Sequence, residues 1–395
     1  MRIDSVSAAQ ILDTRDRPTI EVTLISGDIV VHASVPSGKS TGSHEAVELR
    51  DTDGGVQAAI ANIEGEIAAL LTSRDWNSPD EIDTALIALD GTPNKSRLGA
   101  NAILGISIAV QRLFAQAAGV PLWRAIAERA GTTPAAPRLY LNFLNGGVHA
   151  DFRLPFQEYI FVVGGKTSEA MKIAEEVFAD FGQKLGDVPM GDEGGYSPTF
   201  DTIEKPFELL AEAVAEHQSS SIAIDAAANE LRHEDHYELL GKRYSAGELR
   251  ALYSRLVARF PFHSIEDPFS EDATADFAAL TEDLAGKVLV IGDDFTVTNP
   301  ARITAAHEAA AITGVLIKPN QIGSVKEAIE AVQMTYANGW AAVCSHRSGE
   351  TDDTFIADFA YGVGAHGIKA GGLGQKERLE KYERLVEIEK EAEPV

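Results

Sequence analysis

Cysteine is almost missing from this sequence: Cys344 is the only one in 395 residues. A lone thiol excludes an internal disulfide, and its place inside an apolar run assigns it to a buried strand as a small filler. Basic residues are scarce as well. Thirty-four lysines and arginines face sixty aspartates and glutamates, a formal charge of −26. That balance argues against nucleic acid or an anionic membrane as the main partner. An anionic substrate stays possible, because the local field of a pocket can oppose the total. Long apolar runs are also lacking. The most apolar helical stretch begins at Ala100 and meets Gln111 and Arg112 too early to span a bilayer. The N-terminus has no basic segment leading into an apolar one, so no secretory signal is read there. A soluble, cytoplasmic chain is expected.

A hydrophobic content of 45% supports a well-filled core, and the length suits a barrel plus a smaller domain. Ile20, Val22 and Leu24 alternate with Glu21 and Thr23, and Ser26-Gly27-Asp28 turns the chain into Ile29-Val30-Val31, which predicts a hairpin. Val56, Ile60, Ile63, Ile67, Leu70 and Leu71 recur at helical spacing. Further helices are predicted over 79–89 and 99–118, making residues 1–125 an α+β domain. Residues 131–137, rich in Thr, Pro and Ala, form the linker. From 138 to 395 strands and helices alternate, closing with a charged helix over 377–392 whose inner face carries Leu379, Tyr382, Leu385 and Val386.

Six apolar runs in this second region each end in a chemically useful side chain: Asp225, Glu266, Asp293, Lys318, His346 and Lys369, at intervals of 41, 27, 25, 28 and 23 residues. That interval is about one strand plus one returning helix. Polar groups at the carboxyl ends of successive parallel strands meet at one mouth, as in a β/α barrel. Three acids in register offer hard oxygen ligands suited to Mg²⁺. A buried lysine beside that charge has its pKa lowered toward that of a useful base, which assigns the role to Lys318. Glu193, in Gly191-Asp192-Glu193-Gly194-Gly195, lies on a loop able to approach a ligand closely. Asn145-Gly146-Gly147-Val148-His149 and Gln157-Glu158 are further candidate loops. His346-Arg347-Ser348-Gly349 can bind a phosphate through a guanidinium fork, a hydroxyl and backbone N–H groups.

Two strings carry no nucleotide reading. Ser37-Gly38-Lys39-Ser40-Thr41 lacks the glycine a P-loop needs five residues before Gly38, where Ala33 stands. Gly362-x-Gly364-x-x-Gly367 follows a helix and precedes a strand, the reverse of a dinucleotide fold.

Taken together the motifs resemble the enolase family across nearly the full chain. The matching strings are Ile11-Leu12-Asp13-Thr14-Arg15, residues 36–45 and 98–105, Asn145-Gly146-Gly147, residues 191–195, Ser264-Ile265-Glu266-Asp267-Pro268, Gly292-Asp293-Asp294, residues 317–323 and residues 345–351. The resemblance implies an α/β fold: an atypical TIM (β/α) barrel, irregular in its opening units, under an N-terminal α+β cap. It implies two Mg²⁺ ions, the first on Asp225, Glu266 and Asp293 and the second bound by Ser40. Lys318 would take the C2 proton of 2-phosphoglycerate; Glu193 and Glu158 would assist loss of the C3 hydroxyl. Lys369 would neutralise the enolate. Arg347 and Ser348 would hold the phosphate, and His149 would close over the substrate. Gln157 and His346 join the same set.

The chain departs from the family pattern at three places. Lys39 stands where the first loop usually has alanine. After Lys369 the usual T-G and arginine-serine pair become Ala370-Gly371-Gly372-Leu373-Gly374-Gln375-Lys376. Both changes lie near the substrate, so Lys39 is also a candidate for a second anionic group, as in a carboxyphosphonoenolpyruvate synthase that joins enolate chemistry to a phosphonoformyl donor. A non-catalytic, recruited role would predict decay at the catalytic positions, which are intact. Finally, the family's glutamate–arginine contact across the dimer falls on Glu21 and Glu387. Two acids repel, so a homodimer with a rewired contact is expected.

Overall fold

The computed structural model describes residues 1–39 and 42–393. The chain opens with an antiparallel meander, β1 (Ser5–Leu12), β2 (Pro18–Ser26) and β3 (Ile29–Ser34). In β2 the predicted alternation is real: Ile20, Val22 and Leu24 are buried against the helix Ala100–Ala118. Gly105 allows that helix to approach, since a Cβ there would lie 2.8 Å from Val22 Cγ2. β1 escapes a sequence reading because it is an edge strand of mostly exposed Ser, Ala and Gln, with no apolar period.

The next predicted helix forms, but in three pieces: Gln57–Asn62, a π-helical Ile63–Ile67, and Ala68–Thr72. Gly65 sits at φ −91, ψ −105, so a glycine in mid-helix supplies the break. Ile60, Ile63, Ile67 and Leu71 are still buried. The helix Pro79–Asp90 begins where Ser78 accepts the Glu81 N–H at 3.2 Å and stops at Gly91, φ 69.

Eight strands then close a barrel. They are β4 (Arg138–Asn145), β5 (Glu158–Val163), β6 (Ser220–Asp225) and, after a small sheet of β7 (Arg232–His233), β8 (His236–Leu239) and β9 (Lys242–Tyr244), β10 (Phe262–Glu266), β11 (Leu289–Gly292), β12 (Gly314–Ile317), β13 (Ala341–Ser345) and β14 (Gly367–Lys369). The order around the barrel is β10-β11-β12-β13-β14-β4-β5-β6. β5 alone runs antiparallel to both neighbours. This is the irregular opening that the resemblance implied. Reversal places the start of β5 at the same mouth as the ends of the others: Glu158 pairs with Asp225 and with Asn145. Tyr140, Ile160, Val162, Ala223, Ile291, Leu316 and Val343 fill the interior, so the barrel is a packed core.

The terminal helix Lys376–Ala392 buries Arg378, Lys381, Tyr382, Leu385 and Ile388. Leu379 and Val386, read as inward, are only half-buried, displaced by two cations that the apolar pattern could not mark. No single helix among the described residues is long and apolar enough to cross a membrane. Only the bent pair Ala100–Ala118 and Leu122–Ala130, 104° apart, meets that measure.

Cap and barrel are joined by charge. Arg112 of the cap donates to both oxygens of Asp353 at 2.6 Å, and Ser34 N–H adds a bond at 3.0 Å. Burial pushes the Asp353 carboxyl up, but Arg112 outweighs it and holds it below the usual range. A depressed carboxyl stabilises fully above its unfolded pKa, about 3.9, and the contribution vanishes as pH falls through the lower folded value. Docking of the cap should therefore weaken only in strong acid. Arg112→Ala should cost about 3 kcal/mol in urea unfolding, because Asp353 is left buried and unpaired; a cost below ~0.5 kcal/mol would contradict this.

Candidate active site

The strand ends converge as their spacing predicts. An open cleft at the mouth is lined by His149, Gln157, Glu158, Glu193, Asp225, Asp293, Lys318, His346, Arg347, Ser348 and Lys369, together with Glu230, Asp267 and Asp294. Glu266 lies just beneath, 3% exposed. Lys39 stays outside the lining. Its ammonium donates to Val148 O at 2.9 Å and pairs with Asp192, and its N–H donates to Ser348 Oγ at 2.7 Å. Ser40 lies outside the described residues.

Seven carboxylates in this lining face only three permanent cations, Lys318, Arg347 and Lys369. The cations are drawn into the acids. Lys369 Nζ is 2.7 Å from Glu266 Oε1, 3.2 Å from Glu158 Oε1 and 3.3 Å from Asp225 Oδ2. Lys318 pairs with Asp293. Gln157 Nε2 donates to Asp225 at 3.2 Å and Gln321 Nε2 to Asp293 at 2.9 Å.

The charge imbalance shows in the titrations. Burial, reinforced by Asp225, pushes Glu266 well above its ordinary value, although Lys369 opposes it. Glu158 is raised the same way by burial, with Glu193 and Asp225 adding to it against Lys369. Glu193 goes the other way: burial would raise it, but His149 beside it holds it well below. Burial and Asp293 lift Asp294 to about 7. Burial alone would lower Lys318, yet Asp293 outweighs it and keeps the ammonium above its usual pKa. The lowering expected of Lys318 beside a metal belongs to the ion-loaded site; against the Asp293 carboxylate alone the direction is upward.

A divalent cation fits this surplus. Glu158 Oε2, Gln157 Oε1 and His149 Nε2 are buried without a hydrogen-bond partner among the described residues, and buried polar atoms are rarely left so. Two groups bring possible ligand atoms within 4.8 Å of one another among the described residues: His149, Glu158 and Glu193, and Asp267, Asp293 and Asp294. Asp267, however, is committed: its two oxygens accept the Asp293 and Asp294 N–H groups at 2.9 and 2.7 Å, which aims Asp293 into the mouth. Glu266 is held by the Lys369 ammonium alone, whereas Asp225 and Asp293 each give one oxygen to an ammonium and also accept from Ala227 N–H and Gln157, and from Gln321, respectively.

Four participants were missed by sequence reasoning. Glu45 takes Arg347 in a fork at 2.9 and 3.0 Å, and Asn320 Oδ1 accepts from the same guanidinium at 2.9 Å. Gln321 orients Asp293. Arg378, with no exposed surface, contacts His346 and the carbonyls of Asp192, Arg347 and Ser348. The first three lie in strings already singled out; Arg378 gave no signal on a charged helix. The small residues after Lys369 do not open space for ligand. Gly372 N–H donates to Glu193 O at 2.7 Å and Gly374 N–H to Gly194 O at 3.1 Å, and Arg378 fills the remainder.

Comparisons with known proteins agree with this geometry. Residues 3–126 match the family model described as Enolase, N-terminal domain, and residues 134–394 match Enolase, C-terminal TIM barrel domain. The curated enolase of Methanopyrus kandleri is 41% identical, covering 99% of this chain and 96% of its own. Those of Thermococcus gammatolerans and Nitratiruptor sp. are each 41% identical, over 100% and 98% of this chain and 96% of theirs.

If the carboxylate surplus is a cation site, saturating Mg²⁺ should stabilise the fold, by about 2.7 kcal/mol at a hundredfold excess over Kd, and Glu266→Gln should abolish most of that gain. Thermal melts with and without Mg²⁺ decide it; identical melting temperatures would contradict the assignment.

Proposed function

This chain belongs to the enolase family, and we propose that it is a Mg²⁺-dependent lyase converting 2-phosphoglycerate to phosphoenolpyruvate by removal of the C2 proton and loss of the C3 hydroxyl. The observation that carries the reading is the meeting of Lys318, Lys369, Glu158 and Glu193 with the three acids at one barrel mouth. Asp225, Glu266 and Asp293 would hold the first ion and Ser40 a second. A divalent ion held there would offset the carboxylate charge that Lys318 now pairs with and would supply Lewis acidity toward the substrate carboxylate.

The residues then divide the work. Lys318, freed from Asp293 and having given its own proton to solvent, accepts the C2 proton as a neutral amine. Lys369 stays charged, beside Glu158, and faces the doubly negative carboxylate of the enolate, where preorganised charge matters most. Glu158 and Glu193 are neighbouring carboxyls whose environments push their pKa values apart, the pattern of an acid–base pair. Their shared proton serves the leaving hydroxyl, which departs as water. Arg347 turns from Glu45 to the phosphate, with Ser348 beside it. His149 and Gln157 bring unpartnered polar atoms to the substrate. The total charge of −26 is no obstacle, since divalent ions held by the surplus carboxylates would join Lys318, Arg347 and Lys369 in facing the anion.

The condensation with a phosphonoformyl donor is not favoured. Full-length relatives named enolase support simple dehydration, and the lysine that suggested a second anion is engaged by Asp192 and Val148 O. We assign Lys39 to holding the loops at the mouth together. The working unit is a cytoplasmic homodimer, each chain a cap over residues 1–125 and a barrel over 138–395. Arg384 already pairs with Glu387 at 3.1 Å, removing one of the two repelling acids at the expected contact. A monomer by sedimentation would contradict the dimer.

Lys318→Ala should abolish exchange of the C2 hydrogen of 2-phosphoglycerate with solvent and lower kcat by at least about 10³-fold. Exchange retained by a folded, Mg²⁺-loaded variant would remove Lys318 from the role of base.

A further inference from the structure

Arg378 is the largest charged side chain in the barrel with no exposed surface, and no carboxylate among the described residues lies within ion-pair distance of it. A buried guanidinium without an anion is costly unless its donors are well used. They are. Nη1 meets His346 Nδ1 and donates to Arg347 O at 3.2 Å. Nη2 donates to Ser348 O at 2.9 Å and Asp192 O at 3.1 Å, and Nε to Gln375 Oε1 at 2.7 Å.

We propose that Arg378 is a positioning residue that locks His346 in the neutral tautomer protonated at Nε2, so that His346 offers an N–H to Glu193. A guanidinium has donors only. The His346 nitrogen that faces it, Nδ1, is therefore the lone-pair nitrogen, and the single ring proton sits on Nε2. That nitrogen lies 3.9 Å from Glu193 Oε2, beyond a direct hydrogen bond but near enough for the N–H dipole to face the carboxylate. The same guanidinium, through three carbonyls, ties that loop to the segment carrying Arg347 and Ser348. The carboxylate and the phosphate-binding pair thus share one anchor. Burial and Arg378 both hold His346 well below its ordinary pKa, so the ring does not charge in the working range.

The sequence after β14 serves the same end. Gly371 has φ 87, and a Cβ there would stand 2.3 Å from Arg378 Cδ. Only glycine gives this chain both the left-handed turn and the passage for the side chain.

The proposal rests on the reading that Glu193 works in the reaction, but its first test does not. Full-length protein labelled with ¹⁵N-histidine, with Mg²⁺ present, reports each ring nitrogen by NMR, and His346→Gln assigns the signal. Nδ1 should resonate as an unprotonated nitrogen and Nε2 as N–H, unchanged from about pH 6 to 9. A protonated Nδ1 or an imidazolium at pH 7 overturns the proposal whatever the enzyme catalyses. The second test is kinetic. Arg378→Met should lower kcat by about 10²–10⁴-fold with KM within about threefold, as loss of a tautomer-fixing partner does. Arg378→Lys, which keeps one donor for Nδ1, should recover roughly tenfold. A folded Arg378→Met with wild-type kcat, or with the His346 spectrum unaltered, overturns it; should that variant not fold, the wild-type spectrum still decides.

Discussion

The structure depends on one electrostatic constraint: more carboxylate is buried at the barrel mouth than the protein's own cations can neutralise. Burial of a charge is tolerated only with a partner. Here Lys369 is shared among Glu158, Asp225 and Glu266, and Lys318 is given to Asp293. This arrangement stores the two lysines in their charged form against acids that a divalent ion would claim. Metal occupancy and lysine chemistry are therefore one equilibrium. An ion entering the acids changes both what the lysines touch and the protonation they prefer.

The fold serves that constraint by topology. Seven strands bring their carboxyl ends to one face, and the reversed β5 brings its amino end there too. The reversal is what places Gln157 and Glu158 level with Asp225. A regular barrel would put both at the opposite end. The cap contributes Glu45, which holds Arg347 in a fork, and it is fixed to the barrel by the half-buried Arg112–Asp353 pair. Cap and barrel thus meet through charge on both sides of the mouth, one contact structural and the other displaceable by an anionic substrate.

Much of this was legible from residue order. Short apolar runs ending in Asp225, Glu266, Asp293, Lys318, His346 and Lys369 could be aligned because strand ends in a barrel share a level. The helix over 57–72 was visible from its period; its π-helical turn at Gly65 was not, because one glycine in a helix is tolerated as often as it breaks. Arg378 and Lys381 were invisible for a different reason. Periodicity identifies buried positions by apolar character, and these two are buried cations held by carbonyls and, for Lys381, by Glu350 at 3.0 Å. β1 was missed because an exposed edge strand has no apolar face to announce it.

The most direct test is a crystal structure with Mg²⁺ and 2-phosphoglycerate bound. The account predicts Asp225, Glu266 and Asp293 converging on one ion, with Lys318 turned from Asp293 to the substrate C2 and Lys369 beside its carboxylate. An ion held instead by Asp267, Asp293 and Asp294, with Lys369 still on Glu266, would contradict it.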